Sequence, residues 1–145
     1  MIYGVGAAML GWMAALSYFD IRFRRLPNWL TVPAGAAVVV TSVFERNLPM
    51  AVGAVALTML YLAAHMVSPR AMGAGDVKLA FGVGGLSGAF GLDAWFIAAI
   101  GAPLLTGLVG LVLMAFGRRG TSVPHGPSMC LATAVAVGLF TASAF

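Results

Sequence analysis

Acidic residues are almost missing from this chain of 145, which has four: Asp20, Glu45, Asp76 and Asp93. Charged residues of both signs make up only 8%, against about 25% in a soluble domain. That excludes a solvated globular surface. Cysteine is also scarce. With Cys130 alone, an internal disulfide and a multi-cysteine zinc site are excluded. Because it lies inside an apolar run, Cys130 reads as a buried, inert thiol. No basic segment precedes the first apolar stretch, which argues against a cleaved signal peptide. Met1 to Phe19 should then stay as a membrane helix. No repeat, low-complexity tract or long linker interrupts the chain. The net charge of +4 is no nucleic-acid footprint, because the bases fall in the short gaps between apolar runs, as membrane orientation requires.

What the chain does have is hydrophobicity: 61% apolar residues and a mean hydropathy of +1.01. This is an all-α integral membrane protein, with a single membrane-embedded domain over residues 1–145. A spanning helix needs about 20 mostly apolar residues. Six candidates follow: Ile2–Phe19, Trp29–Phe44, Met50–Val67, Val77–Leu92, Ala94–Phe116 and Ser128–Ala144. The fourth is short and rich in glycine, which lowers helix propensity. Its Gly84 and Gly88 form a GxxxG pair, which favours close helix packing. Trp12, Trp29 and Trp95 fit core packing or interface anchoring.

The bases orient this bundle. Arg22, Arg24 and Arg25 lie in loop one, Arg70 and Lys78 in or beside loop three, and Arg118 and Arg119 in loop five. Only Arg46 lies in an even-numbered loop. The positive-inside rule puts the odd loops in the cytoplasm and both termini outside. Asp20 borders loop one and Asp76 borders loop three, so both acids fall on the cytoplasmic face.

Ionisable groups beside lipid are costly and tend to be functional. Asp20 also has a bland role, pairing with Arg24 at i+4. Pro27 pushes Leu26 out of the α region, so the chain turns there, and the Asn28 side chain is placed to cap the second helix. Gly73 and Gly75 flank Asp76, permitting positive φ or a close backbone approach. They are the expected hinges of a mobile loop three. Asp76 at a helix start also offsets the macrodipole, which favours its ionised form. Two neighbouring carboxylates share a proton near neutral pH. One then activates a water for attack on a peptide carbonyl while the other donates a proton. On the macrodipole alone, Asp76 is the base. Lys78, two residues on, points to roughly the opposite helix face; it either snorkels to the headgroups or meets an acidic substrate side chain. His65 and His125 have no carboxylate partner in sequence and make a poor metal site.

Asp20-Ile-Arg-Phe-Arg-Arg-Leu-Pro27-Asn28, followed by Gly73-Ala-Gly75-Asp76-Val-Lys78, resembles the type IV prepilin peptidases, membrane aspartyl proteases of the GxGD type. Val123-Pro124-His125-Gly126-Pro127 is similar to the Pro-x-Gly-Pro element before that family's last helix. The resemblance covers the whole chain. It implies six transmembrane helices in the bacterial inner membrane and no cofactor. By position, Asp20 and Asp76 would be the catalytic acids, with Pro27, Asn28, Gly73, Gly75 and Lys78 shaping the site. The substrate would be a prepilin or pseudopilin precursor, cut after a glycine that ends a short basic leader. Larger members carry an N-terminal region with paired CxxC motifs and methylate the new pilin N-terminus. With one cysteine and no such region, this chain more closely resembles the short peptidases of tight-adherence (Flp) pili, without methyltransferase activity. A small transporter with interfacial acids is a competing expectation, although a transporter places its acids near the bilayer midplane. A non-catalytic secretion-system assembly subunit is another, and a protease similar to the signal-peptide peptidases a third.

Overall fold

Residues that break or begin helices recur along the chain at Pro27, Asn47, Gly73, Gly91 and Gly126, and each marks a boundary in a computed structural model of the protein. The structure describes residues 2–70, 72–118, 120 and 122–142. Among these, six helices and no strand are present: α1 (Ile2–Phe23), α2 (Asn28–Phe44), α3 (Leu48–Val67), α4 (Ala74–Gly88), α5 (Leu92–Ala115) and α6 (Gly126–Ala142). Met1, the base Arg119 and the expected end of the sixth span at Ala144 lie outside the described residues.

The caps follow local chemistry. The Asn47 side chain accepts from the Met50 backbone N–H at 3.0 Å, starting α3. Gly91 starts α5 at φ +102°, a conformation open to glycine at little cost. The expected Asn28 cap is not formed. Pro27 stands at the N-cap of α2, no side chain caps that helix, and Asn28 is its first residue. The expected end of the first apolar run also moves. No proline or glycine follows Phe19 until Pro27, so α1 continues through Asp20 to Phe23. It stops at Arg24, whose φ is +53°.

Burial runs opposite to hydropathy. In α5, the buried residues are Ala94, Ala98, Ala99 and Ala102, while Leu104, Leu108 and Leu111 face outward. Large apolar side chains are likewise exposed on α2 and α3, among them Val43, Phe44, Val55 and Met59. Outward leucine, valine and phenylalanine are what a bilayer solvates, and α3 and α5 are each long and apolar enough to cross one. The glycine-rich α4 is instead the centre of the bundle, packing against α2, α3, α5 and α6. Nine of its residues are buried, among them Gly82, Gly84, Gly85 and Gly88.

Contact between α3 and α4 is backbone against backbone. A Cβ added at Gly84 would stand 2.6 Å from the Gly53 carbonyl oxygen, and one at Gly88 would stand 2.7 Å from that of Pro49. The Gly84–Gly88 pair thus serves the close packing expected of it, with Gly53 as its counterpart. Trp95 adds an anchor by donating its indole N–H to the Gly53 carbonyl at 3.0 Å. Trp12 does the same to the Leu30 carbonyl at 2.9 Å. Cys130 is buried in the core formed by Leu16, Leu57, Leu79 and Met129.

Candidate active site

Asp20 occupies the last turn of α1 and Asp76 the first turn of α4. What joins the two helix ends is the corner that Pro27 forces. Leu26 lies against Gly75 so closely that a Cβ there would stand 3.3 Å from the Leu26 Cβ. On the far side of the corner, Lys78 Nζ donates to Asn28 Oδ1 at 3.0 Å, tying the start of α2 to α4. Gly73 and Gly75 therefore serve close approach. Neither has positive φ, and a Cβ at Gly73 would stand 3.3 Å from Asp76 Oδ2. Loop three carries bonds of its own: His65 Nδ1 donates to the Met72 carbonyl at 2.6 Å, and Met72 N–H donates to the Ser68 carbonyl.

Both acids are largely buried at 9% exposure, and both open onto one cavity of about 470 Å³. Of the residues expected to shape the site, Gly73, Gly75 and Lys78 line that cavity, while Pro27 and Asn28 stand behind its wall. Lys78 thus shares the cavity with Asp76 despite its two-residue offset. Arg24, Arg25 and Arg70 complete a strongly basic rim.

The third side of the cavity is loop five and the start of α6. Gly126 N–H donates to Asp20 Oδ2 at 2.9 Å, so the Asp20 carboxylate rests on the N-terminus of α6, where the macrodipole favours negative charge. A Cβ at Gly126 would stand 2.7 Å from the same oxygen, so glycine is needed for the contact. Arg24 donates to the Ser122 hydroxyl, tying the end of α1 to loop five. His125 lines the cavity between Tyr61 on α3 and Thr106 on α5. The Pro124-His125-Gly126-Pro127 element marked this segment in the sequence. Its pairing with Asp20 was not legible there, because 106 residues separate the partners.

The two carboxyls differ in charge balance. Both lie beyond the apolar runs, at the polar ends of their helices. Burial raises the Asp20 carboxyl above 3.8, while the Gly126 N–H and Arg24 oppose the rise. Burial together with the charge of Asp20 pushes Asp76 up to about 6, opposed only by a hydrogen bond from Gly73. Each acid thus feels its environment differently, and Asp76 feels the charge of Asp20. The two carboxyls are thus electrostatically coupled, and ionisation of one disfavours ionisation of the other. Among the described residues, no three of His, Cys, Asp and Glu converge in a set that could hold a metal ion.

A bundle of apolar helices with two carboxylates opening onto one cavity defines a membrane protein with a candidate di-carboxylate site. Residues 7–141 match the model of the type IV leader peptidase family, Peptidase_A24, and the chain belongs to that family. A similar protein is a prepilin leader peptidase/N-methyltransferase of Xanthomonas campestris pv. campestris, 33% identical over 144 residues. That alignment covers 89% of this chain and 48% of the relative, so the chain spans about half the length of the relative. No solved structure matches the chain.

Proposed function

We propose that this chain is a membrane aspartyl endopeptidase that removes the short basic leader of type IV, Flp-type prepilins after a glycine, at the cytoplasmic face of the bacterial inner membrane. One observation carries this: Asp20 and Asp76, from helices far apart in sequence, open onto the same cavity at the helix ends. Multi-pass topology with outward termini is supported by the same cavity, because Arg24, Arg25, Arg70 and Lys78 stand on its rim and basic loops stay inside. A site at the helix ends fits a leader peptide lying outside the bilayer better than a transport path through it. The basic rim fits an acidic substrate side chain, as the sequence allowed for Lys78.

In the proposed reaction, Asp20 is the base. The macrodipole of α4 alone favours Asp76 for this role, but Asp20 has an N-terminus of its own, that of α6, along with the Gly126 N–H and Arg24. Asp76 is the site that holds the shared proton. Ionised Asp20 takes a proton from water, and the hydroxide oxygen bonds to the carbonyl carbon of the leader glycine. Asp76 donates its proton to the carbonyl oxygen. The tetrahedral intermediate then collapses: Asp76 takes back a hydroxyl proton as the C=O re-forms, the C–N bond breaks, and the proton on Asp20 goes to the leaving amine.

The test is co-expression with an Flp-type prepilin in a host without its own peptidase, followed by gel shift and N-terminal sequencing. Cleavage after the leader glycine should be lost in Asp20→Asn and Asp76→Asn at unchanged membrane levels. Survival of cleavage in either variant returns that acid to a structural role. With a single cysteine and no CxxC pair within these 145 residues, we also propose that the segment transfers no methyl group. Label carried from S-adenosylmethionine to the new pilin N-terminus would refute that.

A further inference from the structure

The His125 imidazole is held at both nitrogens. Tyr61 Oη lies 2.8 Å from Nε2, and Thr106 Oγ1 lies 2.7 Å from Nδ1. The Thr106 hydroxyl also lies 3.1 Å from the Ala102 carbonyl. A hydroxyl has one proton. With that proton on the carbonyl, Thr106 Oγ1 accepts from Nδ1–H, and the bare Nε2 accepts from the Tyr61 hydroxyl. Each donor then has one acceptor, and the ring is neutral. Burial, which lowers the pKa of His125, agrees with that state. The His125 backbone carbonyl accepts from Met129 N–H at 3.1 Å, inside the first turn of α6. The next residue is Gly126, whose N–H holds Asp20.

We infer that Tyr61, His125 and Thr106 form a clamp between α3 and α5 that fixes the start of α6, so that the Gly126 N–H meets Asp20. His125 is thereby a positioning residue for the acid. It makes no metal site and donates no proton to substrate. Its importance for cleavage rests on the proposed role of Asp20, but the clamp itself is a statement about hydrogen bonding to that carboxylate. The reason for such a device is local. Loop five carries glycine at 117, 120 and 126, with positive φ at Gly117 and Gly120. Glycine is conformationally permissive, so a side-chain anchor at His125 restricts where the adjacent Gly126 N–H can lie. Other charged or titratable groups around the acid are Arg24 and Arg25 after α1, Arg70 in loop three, Asp76 and Lys78 on α4, and Cys130 on α6. The clamp variants below leave all of them in place.

The chain has three aspartates, Asp20, Asp76 and Asp93. Labelling aspartate at the carboxyl carbon with ¹³C therefore gives three resonances in detergent micelles, assigned with the single Asp→Asn variants. A hydrogen bond to the ionised form lowers a carboxyl pKa. Loosening Gly126 should therefore raise the Asp20 midpoint by about one pH unit, a tenfold weaker hold on the ionised form. This is expected in His125→Ala, and to a smaller degree in the volume-preserving Tyr61→Phe and Thr106→Val. His125→Gln, which keeps a donor and an acceptor, should recover part of the shift. Asp93 should titrate unchanged throughout. In prepilin cleavage, kcat should fall with KM held, and the acid limb of the pH profile should move up with the Asp20 midpoint.

An Asp20 midpoint that stays at its wild-type value in folded Tyr61→Phe and Thr106→Val overturns the clamp, even if His125→Ala fails to fold. The two levels separate cleanly. Cleavage retained in Asp20→Asn sinks the proposed peptidase mechanism whatever the spectra show. Cleavage lost in Asp20→Asn with an unmoved midpoint in the clamp variants leaves that mechanism standing and removes the clamp.

Discussion

Helices α4 and α5 are neighbours in sequence and in space, yet they are built on opposite plans. α5 is long and strongly apolar, and only a stripe of four alanines is buried. α4 is shorter, carries Asp76 and Lys78, and is buried along most of its length. In water the more hydrophobic helix would be the inner one. In a bilayer, lipid solvates leucine as well as a protein core does, so apolarity confers no preference for the inside. Small residues decide instead, because they let backbones approach. α4 is central since glycine at 84, 85 and 88 admits α2 and α3 to its surface. The helix that carries one candidate acid is therefore also the one the bundle is packed around.

That contrast can be broken, and the largest effect should come from the seam. Gly84→Leu forces a side chain into the Gly53 carbonyl and Leu57, both on α3. We expect no folded protein in detergent by size-exclusion chromatography; a monodisperse, active variant would show the seam to be loose. Next comes the polar end of the same helix. Asp76→Asn should lower prepilin cleavage by ~10²–10⁴-fold, the range for losing a positioned acid or base, while the protein elutes as wild type. A milder effect is expected from Gly126→Ala, whose Cβ must push Asp20 aside. We expect a roughly tenfold lower kcat with KM little changed, read in the same assay.

Proton linkage gives a smaller signal. The Asp76 carboxyl is raised from 3.8 to about 6 in the folded protein, so the folded state binds this proton more tightly than the unfolded one. The resulting stability is fully present below about pH 4 and is lost as pH rises through about 6. The Tm of the wild type should therefore fall over that interval, and Asp76→Asn should flatten the decline. A wild-type Tm that rises between pH 4 and 6 would contradict the raised carboxyl. Smallest of all, Leu108→Ala on the exposed face of α5 should change stability by no more than ~0.5 kcal/mol and leave cleavage untouched. A loss as large as that of a core leucine would mean that this face meets protein and not lipid.

The sequence and the structure divided the labour in a definite way. Helix number and type followed from apolar runs and their breakers, and these are local properties. The GxxxG pair in α4 was legible because its spacing is helical, although its partner Gly53 was not. Glycine content marked α4 as the weakest helix former in the sequence, because it measures propensity and not close packing. The expected Asn28 cap is not formed because Pro27 takes the N-cap position and Asn28 falls inside the helix, where its side-chain oxygen accepts from Lys78, fifty residues on. The two acids and their glycines could be read as motifs. The Gly126–Asp20 and Tyr61–His125–Thr106 contacts could not, since each joins elements that only the packed bundle brings together. By itself, then, the chain determined its solvent, its helices and the chemical identity of its acids, because composition and short-range order fix these. Only the tertiary structure decided that Asp20 rests on the N-terminus of α6 and that Asp76 feels its charge, because hydrogen bonds and electrostatics act through distance in space, not along the chain.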